Sequence, residues 1–99
     1  MYIIKEYFLS LPKLKELCLS ALNNEVLSDY VVKMGNVTKQ KKIDDLSEAQ
    51  KEFNANFSTS EIIRDSKISY ASVFVLVEEI KGKDPVVISR SELKFADKE

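Results

Sequence analysis

The stretch from Ile68 to Ile80 constrains the fold more than any other. Its centre, Val73-Phe74-Val75-Leu76-Val77, is apolar at every position. Successive side chains of a strand point to opposite faces. A strand that is apolar on both faces must be covered on both, so this run predicts an interior strand. Lys81-Gly82-Lys83-Asp84-Pro85 reads as a turn, and Val86-Val87-Ile88 returns as a last strand ending near Arg90. Residues 91–99 read as a loose tail, in which Leu93 and Phe95 alternate and could extend that strand.

Upstream, Ile3, Ile4, Tyr7, Phe8, Leu11, Leu14, Cys18, Ala21 and Leu22 recur at three- and four-residue steps, a helical period. Pro12 interrupts it, with Ser10 as a candidate N-cap. The expectation is a short helical segment over 2–9, then a firmer helix over 11–23 ending at Asn23-Asn24. Tyr, Ile and Phe also favour strands, so 2–9 has a strand alternative. Tyr30-Val31-Val32-Lys33-Met34 leads into Gly35-Asn36 and then Val37-Thr38-Lys39. Gly-Asn between apolar runs is a hairpin signal, which predicts strands over 28–34 and 37–43. The second of these is lysine-rich, as a protected sheet edge is. Asp44, Asp45 and Ser47 offer N-caps for a helix over 46–57 with Leu46, Ala49, Phe53 and Phe57 on one stripe. Residues 58–66 read as a loop with a helical turn.

The expected fold is therefore α+β in the order αββαββ. An N-terminal helical segment, a β-hairpin, a helix and a second β-hairpin build a four-stranded antiparallel sheet with a helix packed on one face. Ninety-nine residues, 44% of them apolar, suit one small domain over 1–99. Phe53, Phe57, Val75 and Val77 are its expected main core.

The chemistry is bounded by what is missing. The sequence has no histidine and one cysteine, Cys18. The commonest general base and metal ligand is thus lacking, and one thiol makes neither an internal disulfide nor a cysteine zinc site. Cys18 reads as a small core hydrophobe beside Leu14 and Leu22. Glu78-Glu79 would point to opposite faces of a strand, and Asp44-Asp45 suit a helix start. Gly35 and Gly82 are isolated turn glycines, not a phosphate loop. Ser58-Thr59-Ser60 has no histidine to activate it. The expectation is a protein that is not an enzyme and carries no cofactor and no metal.

Charge points the same way. Fifteen basic and 16 acidic residues leave a net charge of -1, so no general attraction to nucleic acid or anionic membrane follows. Only Arg64 and Arg90 are arginines; the other basic residues are lysines, which, with the many Ile and Asn, suits an AT-rich coding genome. No run of about 18 apolar residues exists, so no membrane span is expected, nor is a signal peptide. A lone thiol fits a cytoplasmic protein. The length and layout resemble the small α+β accessory proteins of bacterial phages and mobile elements, some of which inhibit host defence enzymes. The resemblance lies in size and element order, so it assigns no site.

The expected function is a protein-binding module, an inhibitor or adaptor of phage or mobile-element type acting on a bacterial host protein. Candidate contact residues are Lys33, Lys39, Lys41 and Lys42 on the hairpin, and Tyr2, Tyr7 and Phe8 on the N-terminal segment. The alternatives are a nucleic-acid-associated protein using those lysines, which the charge balance does not favour, and a self-associating homo-oligomer with the N-terminal segment packed on a second copy.

Overall fold

The computed structural model describes residues 1–12, 23–64 and 68–97. These form one six-stranded sheet with a helix on each face. The elements are β1 (Tyr2–Pro12), α1 (Asn24–Met34), β2 (Asn36–Ile43), α2 (Leu46–Asn56), β3 (Thr59–Arg64), β4 (Ile68–Glu78), β5 (Val86–Arg90) and β6 (Glu92–Asp97). The expected N-terminal helix and four-stranded sheet are both overturned, and so is the αββαββ order on which the resemblance to phage accessory proteins partly rested. The helix expected over 11–23 falls mostly outside the described residues, Cys18 included; Leu11 and Pro12 belong to β1.

The first segment is a strand because it is apolar on both faces, as β4 is. Its odd positions Ile3, Tyr7 and Leu9 enter one core cluster, and Tyr2 and Ile4 enter the other. β1 pairs with β4 over its whole length, Tyr2 opposite Glu78 through Pro12 opposite Ile68. Pro12, which has no N–H to give, sits at the strand's last residue, where this costs least. With β2 on its other side, β1 is interior. β2 reaches only as far as Phe8, so among the described residues 9–12 are paired on the β4 side alone.

Residues 28–34 belong to α1, not to a strand. Asn23, read above as a helix end, is the N-cap: its side-chain oxygen accepts from the Val26 amide at 2.9 Å. Leu27 and Val31, four apart, are both buried on the sheet. This packing outweighs the strand preference of Tyr30-Val31-Val32. Gly35 closes the helix, donating to the Val31 carbonyl, and the chain runs straight into β2 without a hairpin. The strand over 37–43 and the helix over 46–57 are found where expected, with Asp45 capping the Glu48 amide at 3.0 Å.

The sheet order is β2-β1-β4-β3-β6, with β5 also on β4. β4 has β1 along one edge. Its other edge is shared, by β3 at Ala71–Ser69 and by β5 at Val75–Glu78. β3 and β6 run parallel, so the sheet is not wholly antiparallel. β3 takes up 59–64 of the loop expected over 58–66, and β6, with the alternating Leu93 and Phe95, takes up 92–97 of the expected tail; 65–66 and 98–99 lie outside the described residues.

Buried serines hold the junction where β5 passes into β6. Ser91 is fully buried; its hydroxyl lies 2.7 Å from that of Ser60 and accepts from the Phe74 amide at 3.0 Å. Asn24, at the start of α1, closes the outside of this junction. Its amide nitrogen donates to the Ser91 carbonyl at 3.3 Å and its oxygen accepts from the Leu93 N–H at 2.7 Å, as a neighbouring strand would. Arg90 ties the same corner to Asp29 and the Glu25 carbonyl. Asn24→Ala is expected to cost about 1–2 kcal/mol, since two hydrogen bonds go and the Leu93 N–H loses its acceptor. Faster hydrogen exchange at the Leu93 amide is the local readout; unchanged exchange would refute the edge-closing role.

Two half-cores result. The α1 face buries Ile3, Leu27, Val31, Ile62, Ala71, Val73, Val75 and Val77. The α2 face buries Ile4, Ala49, Phe53 and Leu76, with Phe57 and Phe74 partly buried beside them. Phe53, Val75 and Val77 are core residues as expected, but they lie on opposite faces, and Phe57 is only half-buried.

Candidate functional site

Among the described residues the α2 face of the sheet is only partly covered, and helix geometry explains why. β1 and β4 have 11 residues each, as does α2. Eleven residues span about 36 Å as a strand and about 16 Å as a helix. α2 therefore covers the end of the face holding Ile4 and Leu76. Towards the other end, Phe8 and Tyr70 stack with ring centroids 5.9 Å apart and remain exposed.

The borders of this face come from β2. Among the described residues β2 pairs with β1 alone, and no strand lies on its outer edge. Every residue from Asn36 to Lys42 is exposed. Lys39 lies opposite Glu6 and Lys41 opposite Ile4, which puts both on the α2 face; Lys42 lies opposite Ile3, on the α1 face. The alternation read from the sequence is thus correct. A register shift between Glu6 and Tyr7 lets Thr38 turn its hydroxyl onto the Glu6 carboxylate at 2.6 Å.

Between β2 and the end of α2 lies a cleft of about 380 Å³. Ile4, Phe57 and Phe74 supply its apolar surfaces; Glu6, Lys39 and Lys41 supply its polar border. Phe57 and Phe74 meet edge-on at 5.2 Å, fixing both rings. Lys41 bonds Glu52 on α2 at 2.8 Å, and Asn56 adds a second donor to the same carboxylate oxygen. Among the described residues Lys39 makes no such pair. A cleft of this size, largely apolar with a few polar groups, has the character of a ligand pocket. Beyond Lys41 a more open hollow of about 510 Å³ runs along α2, past Glu48 and Lys51.

The Lys41 hydrogen bond holds the Glu52 carboxyl below its ordinary value of 4.5; partial burial opposes this, and the Lys41 charge and Asn56 assist. Because the folded value is depressed, the pair's contribution is present above the unfolded pKa and is lost as pH falls through the folded one. A carboxyl-carbon NMR titration should place the Glu52 midpoint below 4.5, and Lys41→Met should raise it. An unchanged midpoint in the variant would show that the pair does not form in solution. At the start of β1, the hydrogen bond that the Tyr2 phenol donates to the Glu78 carboxylate holds its pKa above the usual tyrosine value.

The expected contact residues are only partly brought together. Lys39 and Lys41 share the cleft border. Lys33 is exposed on α1, in the layer covering the opposite face. Tyr2 packs beside Ile4 under α2, Tyr7 packs into the α1 face, and Phe8 alone of the three aromatics is exposed. The cleft residues Ile4, Glu6, Phe57 and Phe74 were not singled out as contacts. Ser60, part of the hydroxyl run, is buried against Ser91 and has no base beside it. Among the described residues no three His, Cys, Asp or Glu side chains come together, and no helix is long and apolar enough to cross a membrane. No protein-family model, curated protein or solved structure matches this chain.

Proposed function

We propose that this chain is a non-enzymatic module that binds a protein partner by adding an extended acidic segment to the open edge of β2. One observation carries the reading. β2 is exposed throughout 36–42 and carries Lys39, Lys41 and Lys42 with no acidic residue between Asn36 and Ile43, while Asn24 closes the outer edge at the start of β6. An unpaired strand edge offers backbone donors and acceptors to an added strand, and its lysines favour an acidic one. Such binding suits an inhibitor or an adaptor. A cytoplasmic location is part of the proposal and is supported by the single cysteine.

Selection from a random-peptide display library on the immobilised protein tests this. Enriched sequences should be extended, free of proline, and acidic at alternate positions. Lys39→Glu should abolish the enrichment and leave the thermal midpoint close to wild type, because Lys39 is exposed and unpaired among the described residues and such charge changes cost only ~0.5 kcal/mol. Basic enriched sequences, or none, would overturn the reading.

The second reading is single-stranded nucleic acid. It is favoured by the exposed Phe8–Tyr70 stack on the same face as Lys39 and Lys41, since bases stack on such rings beside basic residues. Glu6 on the same face and the net charge of -1 weigh against it. Tight binding of a 20-nucleotide single strand with a steep salt dependence would replace the first reading with this one.

A further inference from the structure

We infer that the partner segment carries an aromatic side chain, flanked at two-residue spacing by acidic residues, and that the cleft between β2 and α2 receives the ring. The inference rests on the strand-addition reading and names what the added strand must look like. A strand laid along β2 presents every second residue to the α2 face. Those residues lie beside Lys39 and Lys41, which stand between the open edge and the cleft. Past the lysines the surface turns apolar. Ile4 is 3% exposed, and Phe57 and Phe74 meet edge-on at 5.2 Å. A third ring entering here finds two ring partners, an arrangement that aromatic groups favour.

The acids of the cleft are already engaged. Glu6 takes the Thr38 hydroxyl at 2.6 Å, and Glu52 takes Lys41 and Asn56. Lys39 lies opposite Glu6, whose carboxylate takes the Thr38 hydroxyl, and among the described residues it makes no ion pair, so it can meet a carboxylate from the partner. The volume of about 380 Å³ admits an aromatic side chain. Buried aromatic anchors ringed by polar contacts are the common energetic centre of protein interfaces.

Three capped pentapeptides test the inference by amide NMR on the full chain: Ac-Glu-Thr-Phe-Thr-Glu-NH2, the same peptide with alanine for phenylalanine, and Ac-Lys-Thr-Phe-Thr-Lys-NH2. The first should shift the β2 amides together with those of Ile4, Phe57 and Phe74. The alanine peptide should shift β2 alone and bind about tenfold more weakly, the loss expected for an apolar side chain left unburied. The lysine peptide should shift neither region. Lys39→Gln should weaken the first peptide by about fivefold, as an exposed ion pair allows. Shifts in β2 without shifts in the cleft, or equal affinity of the phenylalanine and alanine peptides, would overturn the cleft inference and leave strand addition standing. Shifts in the cleft without β2 would overturn strand addition, and with it the placing of the ring on an added strand. No shift with any peptide would overturn both.

Discussion

Truncating Phe53 to alanine is expected to cost about 3–5 kcal/mol of folding stability, a large part of what a domain of this size has in total. Phe53 is 2% exposed and sits in a small cluster, with Ile4, Ala49 and Leu76 as its fully buried companions. Ala49 fills little space, so the phenyl ring is the largest fully buried side chain that α2 sets against the sheet. The helix cannot easily sink into the gap. Its first turn is tied to the end of β2 through the Asp45 cap, and its last turn is closed by the Phe57 amide on the Phe53 carbonyl, just before β3. A cavity that cannot collapse brings the upper part of the range. Phe57→Ala should cost clearly less, because Phe57 is only half-buried. Urea titrations of both variants measure the difference. A loss below about 1 kcal/mol for Phe53 would mean that α2 is not anchored through this ring.

Why Phe53 was legible and much else was not follows from the residues themselves. The helix over 46–56 announces itself with an acidic cap and an apolar stripe at Ala49 and Phe53, and both signals survive in the fold. β4 announces itself by a run apolar on both faces. β1 carries the same kind of run, but Ile3, Ile4, Tyr7, Phe8 and Leu11 also fit a helical period. Short apolar stretches are ambiguous in this way whenever both faces are buried. β3 was hidden by serine, and β6 showed only as the alternation of Leu93 and Phe95. Strand patterns are read from alternating apolar residues, yet Ser60 occupies a buried position of β3 and Ser91 stands buried at the entry to β6, each satisfied by the other's hydroxyl. A polar residue that is buried because it has a distant partner leaves no local trace in a sequence.

The candidate site was legible to the same degree. The lysine edge and its alternation could be read from Lys39, Lys41 and Lys42, because period two holds wherever the strand itself is correctly placed. The cleft could not be. It brings Ile4 of β1, Phe74 of β4 and Phe57 after α2 into one place, and only the sheet order makes them neighbours. The aromatic candidates failed as a group for a related reason. Tyr7 and Phe8 are adjacent in sequence, and adjacency in a strand sends side chains to opposite faces.

Gly35→Ala is the second substitution with a large expected effect, and it tests the junction that the sequence most strongly suggested was a hairpin. Gly35 has φ of -89°, which any residue can adopt, so a left-handed turn is not its reason for being glycine. Space is the reason. A Cβ at this position would lie 2.6 Å from the Phe8 carbonyl oxygen and 2.6 Å from that of Val31. Neither oxygen is free to retreat. The Val31 carbonyl accepts the Gly35 N–H that closes α1, and Phe8 is held in β1 opposite Asn36. Relief requires opening the helix end or shifting β2 against β1, and overpacking of this kind costs about 1–3 kcal/mol or somewhat more. Gly82→Ala is the matched control. Gly82 has φ of +81° and no atom within 4 Å of an added Cβ, so only the backbone penalty of about 1 kcal/mol applies. Denaturant titrations should rank Gly35→Ala as the more damaging change, with faster amide exchange along β2 in that variant alone. If the two variants lose the same stability and β2 exchange is unaltered, α1 does not end against β1. The open lysine edge would then lose the support that holds it in register.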